Sequence, residues 1–203
     1  MAVLGDPRHS SHRGGRPRDP SRDAAIKSAA LQLLAVTGYR GLTMDAVAAV
    51  ASVGKATIYR RWPSKVDLLV SLIDEASSEE LVVPDTGVLR TDLITLLQSL
   101  SEVLAGPGGQ VSRALLEALT DEPQLAAAFH HGALQRWADA FAAVFDQAVR
   151  RGEVTARAGT SLAAEAGSAV LLQRWLITGQ PFDRSVVTGI VDDVVLPALA
   201  CQS

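Results

Sequence analysis

One stretch constrains the fold more than any other: Thr43-Met-Asp-Ala-Val-Ala-Ala-Val-Ala-Ser-Val-Gly-Lys-Ala-Thr-Ile-Tyr-Arg-Arg-Trp-Pro-Ser-Lys65. It reads as a helix, a tight turn and a short basic, aromatic helix, the arrangement that lays a recognition helix in the DNA major groove. Thr43 is a suitable N-cap for Met44 to Val50. Val47, Val50 and Ala51 recur at i, i+3 and i+4 and predict one apolar face. Ala48 is small where two helices must approach, and Ser52-Val53-Gly54 makes the break, with Val53 as a buried plug.

In the second helix Ile58 and Trp62 lie four apart, so both can face inward. Lys55, Ala56 or Thr57, Tyr59 and Arg60 then point elsewhere, toward a groove. Such side chains meet phosphates and base edges, and a purely structural helix has no need of them together. Pro63 stops this helix, and Ser64 opens the next with Asp67 three residues on, a short acidic capping box. Lys65 falls at a helix N-terminus, where backbone N–H groups already favour a phosphate. The candidate DNA-contacting residues are thus Thr43, Lys55, Ala56, Thr57, Tyr59, Arg60 and Lys65.

The run Thr-Ile-Tyr-Arg-Arg-Trp-Pro-Ser-Lys (57–65), preceded by Gly-Tyr-Arg-Gly-Leu-Thr-Met (38–44), resembles the DNA-binding region of TetR-type transcriptional regulators. The resemblance extends from about Asp19 to Leu69, with a weaker echo in Arg-Arg-Gly-Glu-Val (150–154) and Arg-Trp-Leu-Ile-Thr-Gly-Gln-Pro-Phe-Asp (174–183). It departs from the pattern at Ser52, where the turn usually carries Gly, and at Gly54, where Ser is commoner. The resemblance implies a homodimer built from the last two helices and a small-molecule pocket in the body. It also implies a fourth helix whose movement resets the spacing of two DNA-reading heads.

Charge is distributed to suit a polyanion. Residues 1–65 carry a net +7 and the remainder −10. A basic end on an acidic body orients a molecule on DNA, although a solvated imbalance of this kind is also common. Residues 1–18 are rich in Arg, Gly and Ser and read as a disordered arm. Arg16 and Arg18 can drop into a narrow minor groove, or belong to a solubilising tail. Residues 19–63 form the helix-turn-helix domain, and 64–203 the regulatory and dimerisation domain, entered by a linking helix over 64–81. The single cysteine, Cys201, forbids an internal disulfide, and no apolar run approaches a membrane span, which together predict a cytoplasmic protein.

The expected fold is all-α with about nine helices: a three-helix N-terminal head and a helical C-terminal body. The first helix runs from Asp19 or Pro20 to Thr37 with Ile26, Ala29, Ala30, Leu33 and Leu34 inward and Gly38 ending it. Five body helices are predicted over 88–105, 110–120, 123–151, 160–179 and 183–200, with breaks at 106–109, 121–123, 151–152 and 179–181. The last two are apolar around much of their circumference and require burial on two sides. One side serves the chain's own core. The other is assigned to a second copy, through Gly167, Leu171, Val187, Val191, Val194 and Val195. A two-fold dimer also spans half-sites about 34–36 Å apart.

The expected effector cavity is apolar, formed by Leu116, Phe129, Trp137, Phe141 and Trp175 with Arg113, His130 or Gln173 as polar groups. The same aromatics read equally as ordinary core. An enzyme finds little support. Gly167-Ser168 lacks a strand-turn-helix setting, and the adjacent pairs His130-His131 and Asp192-Asp193 point to different helix faces. No cofactor or metal site is expected. Double-stranded operator DNA, a second copy and an unknown small molecule are the expected partners, with an architectural DNA binder as the alternative class.

Overall fold

Three helices begin on proline, whose fixed φ suits a first turn and whose missing N–H is not needed there. In the computed structural model, which describes residues 20–78 and 81–200, these are α1 (Pro20–Gly41), α6 (Pro107–Leu116) and α7 (123–151). The others are α2 (Met44–Val50), α3 (Lys55–Tyr59), α4 (Lys65–Ser78), α5 (Leu89–Ala105), α8 (162–178) and α9 (184–200). The expected cap Asp19, the arm residues Arg16 and Arg18, and Cys201 lie outside the described residues.

Local chemistry sets most boundaries. Gly38 adopts φ +69° and breaks α1 where the sequence predicts its end. The Thr43 hydroxyl accepts from Ala46 N at 3.2 Å. Ser64 and Asp67 form the expected box, with Ser64 N donating to Asp67 at 2.9 Å and Asp67 N donating to Ser64 at 3.2 Å. Asp183 caps α9 by accepting from Ser185 N and Val186 N, both at 3.0 Å. Gly152 and Gly179 close α7 and α8 at φ +76° and +62°.

Three boundaries differ from expectation, the first being the end of α6, expected near residue 120 and found at Leu116. The predicted break at 106–109 shrinks to Gly106, because Pro107 starts α6 at once. Glycine is obligatory at Gly109, where a Cβ would lie 1.9 Å from the Leu104 carbonyl oxygen of α5. The linking helix is described to Ser78, and Leu81 is already non-helical.

Each of α7, α8 and α9 contains a π segment, at His130–Leu134, Arg174–Thr178 and Ile190–Val195. A π turn inserts one residue and rotates the remaining helix against its earlier face. Along its 123–151 length α7 buries Leu125 and Phe129 in one core and Val144, Phe145 and Ala148 in another.

Those two cores organise the chain. The head core gathers Ile26, Ala30 and Leu34 of α1, Leu42, Val47 of α2, Ile58 and Trp62, and Leu68 and Leu69 of α4. It continues into the body through Leu115, Ala118, Leu125 and Phe129. Val50, expected inward, is 51% exposed, and Val53 is only half-buried. The body core joins α5 to Val144, Phe145, Leu171, Trp175, Val187, Val191 and Val195. Asp92 is fully buried beside it and accepts from Thr86 N and Thr86 Oγ1, both at 2.7 Å, and from Arg151 at 3.0 Å. Arg151 also holds Asp85 and Glu153, and Glu153 accepts from Leu89 N at 2.8 Å. The 81–88 linker is thereby stapled to the end of α7.

Candidate nucleic-acid interface

Short helices need tertiary anchors, because propensity alone cannot hold so few residues helical. The five residues of α3 are anchored by Ile58, fully buried, and by Trp62 in the turn that follows. Arg61 ion-pairs with Asp23 of α1 at 2.7 Å and lies 5.3 Å from the Trp62 ring, so it clamps α3 to the head. With that side fixed, Lys55, Ala56, Tyr59 and Arg60 are exposed and Thr57 is half-buried. Tyr59, a large aromatic, is 46% exposed on the same side. Thr43 is exposed too, with its hydroxyl already serving as the cap of α2.

Two placements differ from the sequence reading. Lys55 is not a free cation, since its ammonium pairs with Asp45 at 2.6 Å. Asp45, in the first turn of α2, is a partner that the sequence pattern does not flag. Lys65 was expected at a phosphate. Its ammonium instead donates to the Tyr39 carbonyl at 3.0 Å and sits 3.9 Å from the Tyr39 ring. The break at Gly38 brings Tyr39 beneath it, so carbonyl and ring hold the charge inside the head. The Tyr39 hydroxyl donates to Glu122 at 2.6 Å, and burial, more than that carboxylate, pushes its pKa well above the ordinary phenol range.

The turn between α2 and α3 explains the sequence pattern. Val53 N donates to the Ala48 carbonyl at 3.0 Å, the closing bond of a helix-terminating loop, and Ser52 sits between them at φ +54°. A side chain there costs about 1–2 kcal/mol relative to glycine. Ser52→Gly is therefore expected to stabilise the protein, by about 1 kcal/mol after the entropy that glycine adds to the unfolded chain. Chemical denaturation checks this, and an unchanged or lowered midpoint contradicts it.

The comparisons with known proteins agree with this geometry. "Bacterial regulatory proteins, tetR family" matches residues 26–72, and "Tetracyclin repressor-like, C-terminal domain" matches residues 83–194. The chain belongs to the TetR family. An uncharacterised HTH-type transcriptional regulator of Mycobacterium tuberculosis is 35% identical, over 91% of this chain and 93% of that one. The DNA-binding transcriptional repressor TetR of Mycobacteroides abscessus is 35% identical over 88% and 94%. Bacillus subtilis FadR, solved in complex with stearoyl-CoA, shares the fold at a TM-score of 0.63, with 18% identity over 84% of this chain and 98% of that one. The protein is a helix-turn-helix transcriptional regulator, and among the described residues no helix is long and apolar enough to cross a membrane.

The TetR-family body departs from the sequence reading in two respects. Of the eight residues assigned to an effector cavity, Arg113 and Trp175 line one of about 750 Å³. Trp137 and Phe141 are half-buried against the body core with ring centroids 6.5 Å apart, and Leu116 packs there too. Phe129 belongs to the head core, while His130 and Gln173 are exposed.

The residues assigned to the dimer seam are also displaced. Leu171, Val187 and Val191 are fully buried and Val195 nearly so, all within the chain's own core. A Cβ on Gly167 would stand 3.2 Å from Leu97 and 3.4 Å from Val195 of the same chain. Val194 alone of the six is exposed. The apolar surface left open on α8 is instead Leu162, Leu172, Leu176 and Ile177, at 82%, 37%, 45% and 75% exposure.

Proposed function

We propose that the protein is a ligand-responsive repressor that binds a palindromic operator as a homodimer. The observation that carries this reading is the exposed face of α3, where Lys55, Tyr59 and Arg60 stand clear of a helix whose other side is locked by Ile58 and Trp62. A relative at 35% identity is named a transcriptional repressor, which supports repression. Occluding a promoter requires only binding.

The open apolar row on α8, joined by Val194 of α9, supports a two-fold seam with a second copy. Leu162, Ala169, Leu172 and Leu176 recur at helical spacing along it, all exposed. This row replaces Leu171, Val187 and Val191 as the proposed interface. Release by an apolar or amphipathic small molecule is supported by a cavity between head and body, a feature that an architectural DNA binder does not need.

The test is substitution on the exposed face. Tyr59→Ala and Lys55→Ala should weaken binding to a selected operator while leaving helicity and melting nearly unchanged. Lys55→Ala also strips Asp45 of its partner and leaves a bare carboxylate beside the DNA, so it should be the more damaging variant. If Lys55 meets a phosphate, all sequences weaken alike and the salt slope falls by about one. If it reads a base, about 1–3 kcal/mol of discrimination goes at one position. Unchanged affinity in both variants would remove α3 as the reading element.

A further inference from the structure

A cavity of about 750 Å³ lies between α1, α6 and the segment 174–183. Its walls come from both halves of the molecule. Leu34, Ala35 and Gly38 belong to the DNA-reading head, whereas Arg113, Trp175 and Phe182 belong to the body. A molecule seated there touches head and body at once.

The lining has a definite chemistry. Trp175 and Phe182 supply aromatic side chains to the lining, and Ala35, Ala105 and Ala114 are small. Arg113 is the one cation among the described residues that line it. Its guanidinium donates to the Trp175 carbonyl and lies 5.0 Å from the Trp175 ring. Those contacts fix its plane and leave further N–H donors, and among the described residues no carboxylate pairs with it. Such a stacked, pre-oriented guanidinium suits a carboxylate.

Two acids share the rim. Asp183 is already occupied, since its carboxylate accepts from Ser185 N, Ser185 Oγ and Val186 N at the start of α9. Glu117, the residue that follows α6, stands four positions after Arg113, the spacing at which the two would ordinarily pair. Arg113 turns to Trp175 instead, so Glu117 has no cation among the described residues and can accept from a ligand.

Resting on the repressor reading above, we propose that this head–body cavity is the effector site and takes a planar aromatic carboxylic acid with a hydrogen-bond donor at its far end. The carboxylate meets Arg113, the ring system lies along Phe182, and the donor meets Glu117. The head can respond because α1 is one wall and is broken at Gly38, immediately before Tyr39, whose hydroxyl ties the head to Glu122 of the body. A ligand with different affinity for two head positions shifts operator binding by that difference.

The test uses the full chain and 6-hydroxy-2-naphthoic acid, titrated by calorimetry, with 2-naphthol and decanoate as comparators. The acid should bind the wild type at least tenfold more tightly than either comparator. Arg113→Gln should weaken it at least tenfold. Ala35→Phe, which fills the cavity from an exposed position on α1, should abolish binding and leave melting unchanged. On a duplex selected from a random pool, the acid should change wild-type operator affinity by roughly 5- to 150-fold and leave that of Ala35→Phe unaltered.

Absence of binding to wild type, equal binding to Ala35→Phe, or preference for decanoate overturns the site. Binding with the expected variant pattern but no change in operator affinity overturns its role as an effector site. If no duplex is selected at all, the regulator reading fails, and the calorimetric titration still decides the site separately.

Discussion

Leu171→Glu is expected to prevent folding, whereas Leu176→Glu is expected to give a folded monomer. The two positions are five residues apart on α8 and differ in what surrounds them. Leu171 is fully buried against the body core, and Leu176 is 45% exposed. Removing a buried leucine costs about 2–5 kcal/mol. Placing an unpaired carboxylate in the space adds several more. Together these rival the whole stability of an ordinary domain, about 5–15 kcal/mol. Val191→Glu should behave like Leu171→Glu, since Val191 is equally enclosed. At Leu176 and Leu172 the charge meets water in the monomer and is desolvated only at the seam. Circular dichroism and sedimentation velocity separate the cases. A folded, dimeric Leu176→Glu would contradict the proposed seam, and a folded Leu171→Glu would contradict the core.

Asp92→Ala is expected to destabilise the protein by about 3–5 kcal/mol, the range for breaking a buried charge pair. The carboxylate has no solvent exposure and satisfies three donors, two of them from Thr86 in the linker. Its loss leaves Thr86 N without an acceptor and loosens the staple between the 81–88 linker and the end of α7. For a chain of this size the melting temperature should fall by roughly 6–20 °C. Asp92→Asn, which can still accept from Thr86, should fall less. Thermal denaturation of the three proteins gives the order, and an alanine variant as stable as wild type would refute the staple.

How much was legible in the sequence follows from the range of each interaction. Thr43, the Ser64–Asp67 box, Gly38, Gly152 and Gly179 act within a few residues, and each does what its type and spacing predict. Ile58 and Trp62 fall inward, as four-residue spacing requires. The inward side of α3 is therefore readable from the sequence, and the relatives place the chain in the same family.

The failures are of another kind. α8 and α9 are apolar on two sides, and periodicity cannot say which side meets the chain's own core. Leu171 therefore reads as a seam residue but faces the chain's own core, and the open row is Leu162, Leu172 and Leu176. The π segments compound the problem by rotating the faces within each rod. Small residues on α1, α5 and α6 line much of the cavity and carry no sequence signal, whereas the large aromatics Trp137 and Phe141 pack against the body core. Nothing local in the sequence signals that Tyr39, 26 residues earlier, lies beneath Lys65.

Selection of bound duplexes from a random pool, followed by sedimentation of the complex, tests the central claim most directly. The account predicts an enriched sequence with two inverted half-sites, their centres about 34–36 Å apart or a multiple of that, occupied by an even number of chains. A pool without enrichment, or an asymmetric site held by a single chain, would contradict it.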